Sequence, residues 1–109
     1  MIKTEVSWAG GLFEGEGSFY INKRNDRKNP RQVAMISMSD RDCIQRFRDA
    51  VGFGRVEGPY GPYQKGTKPT YRWATSGFEK TQALAAMLWP YLCERRRGQI
   101  KSTLIADPT

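Results

Sequence analysis

The chain has 109 residues, with 18 Lys and Arg against 11 Asp and Glu, a formal net charge of +7 and no histidine. That length suits one domain over residues 1–109 with a modest core, and 39% apolar with 27% charged residues fits a folded chain. The missing histidine excludes a Ser-His-Asp triad, a Cys-His pair, His-ligated zinc and His-based nuclease chemistry, leaving carboxylates, Lys and Arg, hydroxyls or a hard metal ion.

Residues 4–15 carry Val6, Ala9, Gly10 and Phe13 along one stripe and predict a helix capped by Thr4 or Ser7. Residues 18–24 alternate and are rich in strand formers, and a basic loop with Asn29-Pro30 leads to a second strand over 32–39. Asp40, with Cys43, Ile44, Phe47, Ala50 and Val51 behind it, predicts an amphipathic helix that Gly52 ends. A short third strand over 54–57 meets a Gly- and Pro-rich stretch, 58–69, that reads as a loop. The fourth strand covers 70–75. Residues 78–92 predict a helix with Leu84, Ala85, Leu88 and Leu92 at helical spacing, which Pro90 kinks or breaks near its end. A last helix over 94–105 opens with Arg95-Arg96-Arg97. The order is α-β-β-α-β-β-α-α.

A pI near 9.7 is the electrostatic signature of a polyanion binder, though many small basic proteins are simply soluble. Cys43 and Cys93 are far apart without C-x-x-C spacing and read as two reduced thiols, with one disulfide as the other reading. The opening Met1-Ile2-Lys3-Thr4-Glu5 reads as no signal peptide, and no apolar run approaches a membrane span. The expected setting is cytoplasmic, organellar or nuclear, with no membrane partner and no secretion.

Residues 8–19, Trp8 to Phe19, are the unusual stretch. Gly10, Gly11 and Gly15 inside a helix together cost about 3 kcal/mol relative to alanine, which close approach of another backbone would offset. Glu14 and Glu16 fall at the helix C-terminus, where the dipole disfavours negative charge and a divalent cation would reverse the penalty. A glycine-rich loop with two solvated glutamates accounts for the same letters. A nucleotide-binding loop does not, because these glycines follow no strand and lack the Walker A Lys-Ser/Thr.

Ala9-Gly10-Gly11-Leu12-Phe13-Glu14-Gly15-Glu16-Gly17, continued by Ser18-Phe19, resembles the LAGLIDADG motif of homing endonucleases. The α-β-β-α-β-β-α order, Val51-Gly52-Phe53-Gly54 and Pro90-Tyr91-Leu92 extend the resemblance along the whole chain. Ala9 stands for the usual Leu, Gly10 for Ala, and both acids are Glu rather than Asp.

The resemblance implies an α+β half-fold, with a four-stranded antiparallel saddle sheet carrying helices on one face. One motif copy implies a homodimer, with Trp8, Gly10, Gly11 and Glu14 at the interface. Glu16 matches the metal-ligating carboxylate, the Gly15 carbonyl is a further ligand, and Mg²⁺ is the implied cofactor, with Mn²⁺ as a substitute. Glu14 matches the first acid, whose part is more structural. Arg95 matches the basic residue that polarises the phosphate, with an ordinary solvated turn as the other reading. Arg96 and Arg97 are phosphate contacts or solvated charge. Asp40 matches a water-organising position and also suits a helix N-cap.

With Phe19, Ile21, Tyr71 and Trp73 facing the helices, alternation sends Tyr20, Asn22, Arg24, Ser37, Arg55, Glu57, Thr70 and Arg72 to the DNA face. Lys23, Arg27, Lys28 and Arg31 are expected to hold phosphates. The implied function is a site-specific double-strand endonuclease on a long pseudo-palindromic duplex, with no small-molecule substrate. The alternative is a non-cleaving nucleic-acid binder of the same fold, either a transcriptional regulator or an intron-splicing maturase.

Overall fold

Helix α1 spans Lys3–Glu16 and passes directly into strand β1, Gly17–Asn22. Strand β2 (Arg31–Met38), helix α2 (Arg41–Val51), β3 (Arg55–Tyr60) and β4 (Thr70–Ser76) follow. Helix α3 (Phe78–Leu88), a 3₁₀ turn (Trp89–Tyr91) and α4 (Glu94–Leu104) complete the chain. The computed structural model describes residues 2–23, 30–62 and 64–105.

The sheet order is β1-β2-β4-β3 with every neighbouring pair antiparallel. Phe19 lies beside Ala34, Ala34 beside Thr75, and Ile36 beside Trp73, so these side chains share the face that the helices cover. Phe13, Ile36, Ile44, Phe47, Trp73, Leu84 and Leu88 are fully buried there. The Phe13 ring lies 4.9 Å from Phe19 and 6.0 Å from Phe47, and Phe47 meets Trp73 edge-on at 4.8 Å. This aromatic chain pins the C-terminal half of α1 to the sheet. Trp73 satisfies its buried indole by donating to the Phe53 carbonyl at 2.8 Å.

Several expectations need correction. Helix α1 begins after Ile2 with no side-chain cap, and neither Thr4 nor Ser7 serves. Ser7 sits one turn in and donates to the Thr4 carbonyl at 2.9 Å, as inward serines do. Asp40 occupies the N-cap position of α2, but its carboxylate makes no cap bond. The third strand does not stop at Glu57. It runs through Pro59 to Tyr60, which an edge strand permits because an outward position needs no N–H. The helix expected over 78–92 ends at Leu88, and Pro90 falls in the 3₁₀ turn. Gly52 ends α2 in the left-handed conformation at φ 88°, as predicted.

Glu5 and Arg46 tie α1 to α2 on the outer surface. Arg46 Nε and Nη2 donate to the two Glu5 oxygens at 3.0 and 2.8 Å, and the guanidinium lies 3.9 Å over the Trp8 ring. Those hydrogen bonds hold the Glu5 carboxyl below the usual 4.5. A lowered carboxylate pKa gives stability that is complete above the usual value and is lost as pH falls through the folded-state value. Both groups are exposed, so the effect is small. Arg46→Met should therefore lower the thermal midpoint slightly at neutral pH, and the gap to wild type should shrink below pH 4.5. A gap that persists unchanged in acid assigns Arg46's contribution to its packing on Trp8.

Candidate nucleic-acid interface and acidic junction

The junction of α1 and β1 is built by contacts from the far end of the chain. Gly10 is buried, and a Cβ added there would lie 2.5 Å from Tyr91 Cβ. Gly17 is likewise covered by the Phe13 ring, 2.5 Å from an added Cβ. The expectation that Gly10 faces a second chain is therefore corrected: its close approach is to Tyr91 of the same chain. Gly11 and Gly15 are exposed, and none of the described residues comes within 4 Å of an added Cβ. Four residues apart, they share one face of α1. Trp8 is half-buried beneath Arg46.

The two acids have different surroundings. Glu14 accepts from the Cys93 backbone N–H at the start of α4, where the helix dipole favours an anion. Its own carbonyl accepts from Arg96 Nε at 3.0 Å, bringing positive charge to the C-terminus of α1. The penalty for acids at that helix end is thus offset within the chain at Glu14. Glu16 is exposed and enters none of the hydrogen bonds or ion pairs among the described residues.

Arg95, Arg96 and Arg97 separate in the same way. Arg96 is buried at 6% exposure, so its reading as a phosphate contact or solvated charge is overturned by the Glu14 bond. Arg97 donates twice to the Trp89 carbonyl, at 3.2 and 2.9 Å, and stacks on the Trp89 ring, so it too serves the fold. Arg95 stays exposed. One turn on, the Gln99 side-chain oxygen accepts from Phe19 N at 3.1 Å, which puts that face of α4 along the start of β1. Nothing in the sequence singled out Gln99.

Asp40 reaches the same end of the sheet. Gly17 pairs with Ile36, so the chain from Ser37 to Asp40 extends past the start of β1 toward the Glu16 side. Asp40 is exposed there.

The face opposite the helices is a shallow groove of about 250 Å³. Tyr20, Asn22, Arg31, Arg55, Glu57 and Arg72 line it with Val33, Met35, Ala74 and Ser76. Ser37 pairs with Arg72 and so shares this face, as does Thr70 two residues before Arg72. Lys23 is exposed just beyond β1. Arg24, Arg27 and Lys28, expected on this face or holding phosphates, lie outside the described residues. Among the described strand residues of this face, three arginines stand against one carboxylate, Glu57.

Magnesium favours oxygen ligands, and an exposed carboxylate at Glu16 beside exposed Gly15 meets that chemistry. Among the described residues no three Asp, Glu, Cys or His side chains converge into a metal cluster. Glu16, with exposed Asp40 toward the same end of the sheet, thus falls short of such a cluster and fits a hard cation only with oxygens added from elsewhere. No helix among the described residues is long and apolar enough to cross a membrane.

No protein-family model and no curated protein matches the sequence. Solved structures do match. The homing endonuclease I-CvuI, in complex with uncleaved target DNA and Mg, superposes with a TM-score of 0.72 at 18% identity over 94% of this chain. An archaeal intron-encoded homing endonuclease, I-Vdi141I, complexed with DNA, gives 0.71 at 21% identity, also over 94%. The LAGLIDADG meganuclease I-AabMI, bound to uncleaved DNA, gives 0.68 at 19% identity over 91%. The chain spans 65% of I-CvuI, 67% of I-Vdi141I and 34% of I-AabMI. With its antiparallel β1-β2-β4-β3 sheet backed by helices, this chain has the αββαββα half-fold of the LAGLIDADG homing endonucleases.

Proposed function

We propose that the chain is a site-specific double-strand DNA endonuclease, acting as a homodimer on a long pseudo-palindromic site by metal-dependent phosphodiester hydrolysis. The observation that carries this reading is the unequal use of the two motif acids. Glu14 is bonded into the fold, whereas Glu16 stands exposed at the end of a concave sheet face bearing Arg31, Arg55 and Arg72. The DNA complexes of the proteins with this fold, one with Mg and another of I-CvuI with Ca, support the same reading. Exposed Gly11 and Gly15 leave α1 a smooth face on which a second copy can pack closely. Two copies double the +7 charge over one DNA site.

In this mechanism Glu16, its counterpart in the second copy and the Gly15 carbonyl would hold Mg²⁺, for which Mn²⁺ would substitute. When bound, the metal stabilises charge on the phosphate and makes water a better nucleophile. Arg95 adds positive charge beside the scissile phosphate, where the transition state gathers negative charge. Asp40 accepts a hydrogen bond from a water and orients it for in-line attack opposite the leaving oxygen. Tyr20, Asn22, Ser37, Thr70 and Arg72 meet base edges, while Lys23 and Arg31 hold phosphates.

Incubation with a randomised palindromic duplex library tests this. Mg²⁺ or Mn²⁺ should yield double-strand cuts at one enriched sequence, and Ca²⁺ should yield binding without cuts. Enrichment by binding with no cleavage in any metal would instead identify a non-cleaving DNA binder.

A further inference from the structure

The register between β3 and β4 contains an irregularity that re-aims a side chain. Glu57 pairs with Arg72 and Tyr60 pairs with Thr70, so three steps along β3 match two along β4. One extra residue is therefore accommodated, as in a β-bulge. Without it, the period of two would send Tyr60 to the helix face. With it, Tyr60 shares the groove face with Glu57 and Arg72.

The consequence is a preformed cluster. The Arg72 guanidinium lies 4.7 Å from the Tyr60 ring centroid, and Arg72 Nε is buried with no hydrogen-bond partner among the described residues. A buried, unpaired donor is unfavourable, so fixing this arginine in the groove runs against the stability of the chain alone. Its direct cross-strand neighbour Glu57 does not pair with it. Glu57 instead contacts Arg55 Nε at a long 3.7 Å and accepts from the Tyr60 hydroxyl at 3.4 Å. Both contacts are weak, and a carboxylate retains acceptor capacity beyond them. A carboxylate on a face turned to phosphates is repelled by them, and a base amine donating to its free lone pairs would offset that repulsion.

We propose that Arg72 and Glu57 read one G·C base pair in the major groove of each half-site, with Tyr60 as the shelf that fixes Arg72. This rests on the DNA-binding reading above. The arginine fork matches the two acceptors, O6 and N7, that only guanine presents there, and a glutamate accepts from the cytosine N4 amine. Adenine and thymine each present the fork with one unsuitable group.

The test is sequence selection from a randomised duplex library by the full chain in Ca²⁺, comparing wild type with Arg72→Lys, Arg72→Ala and Glu57→Gln. Wild type should select a motif with a fixed G·C pair in each half-site. Arg72→Lys keeps the charge and should fold, but it should lose roughly 5- to 150-fold of preference for G at that one position. Glu57→Gln should relax the same pair, and Arg72→Ala should add a loss of overall affinity. If wild type selects a motif and Arg72→Lys retains every position, or weakens all positions equally, the assignment is overturned while DNA binding stands. If wild type selects no motif, both readings are overturned.

Discussion

Glu16→Gln should abolish DNA cleavage, by on the order of a thousandfold or about 4 kcal/mol of barrier, while leaving duplex binding intact or tighter. The substitution is isosteric, and the side chain is exposed without partners among the described residues, so the fold has no stake in its charge. Removing a negative charge beside phosphates lowers repulsion, which is why affinity should not fall. Glu14→Gln provides the contrast. The amide oxygen can still accept from Cys93 N, so that variant should keep the fold and most of the cleavage. Single-turnover cleavage in Mg²⁺ and gel retardation in Ca²⁺ separate the two variants. Cleavage retained by Glu16→Gln would remove this carboxylate from the catalytic centre.

Gly10 and Gly11 are adjacent in sequence and should behave oppositely. Gly10→Ala drives a methyl to within 2.5 Å of Tyr91 Cβ and 2.9 Å of its ring. Overpacking of this kind costs about 1–3 kcal/mol, and each kcal/mol moves the midpoint of a small domain by roughly 4–8 °C. A Cβ added at Gly11 meets nothing within 4 Å among the described residues, and leucine gains helix propensity, so the isolated Gly11→Leu chain should be as stable as wild type or more so. It should nevertheless fail to dimerise, because the added side chain holds two α1 helices apart. Thermal melts together with sedimentation velocity read both effects. A Gly11→Leu protein that still dimerises puts the interface on another surface.

Much of this was legible from local pattern. Alternation in β1 and β4 put Tyr20, Asn22 and Arg72 opposite Phe19 and Trp73, and the structure agrees. The glycine-acid segment marked the junction of α1 and β1. What local pattern could not resolve were pairings across long separations in the chain. The division between Glu14 and Glu16 depends on Cys93 and Arg96, 79 and 82 residues from Glu14. The glycine at position 10 answers to Tyr91, and the Arg95-Arg96-Arg97 run divides by which side chains meet Glu14 and Trp89. Tyr60 was hidden for a different reason. Gly58 and Pro59 read as loop residues, whereas an edge strand with a bulge carries them and turns Tyr60 against Arg72 on the face opposite the helices.

If one chain supplies half of a catalytic centre, two chains must share one DNA site. The most direct measurement is the protein mass bound to a selected duplex, by sedimentation equilibrium in Ca²⁺. Two chains per duplex, twice 12.5 kDa, is the expected result. A single 12.5 kDa chain on a duplex whose two strands are both cut when Mg²⁺ is supplied would contradict it.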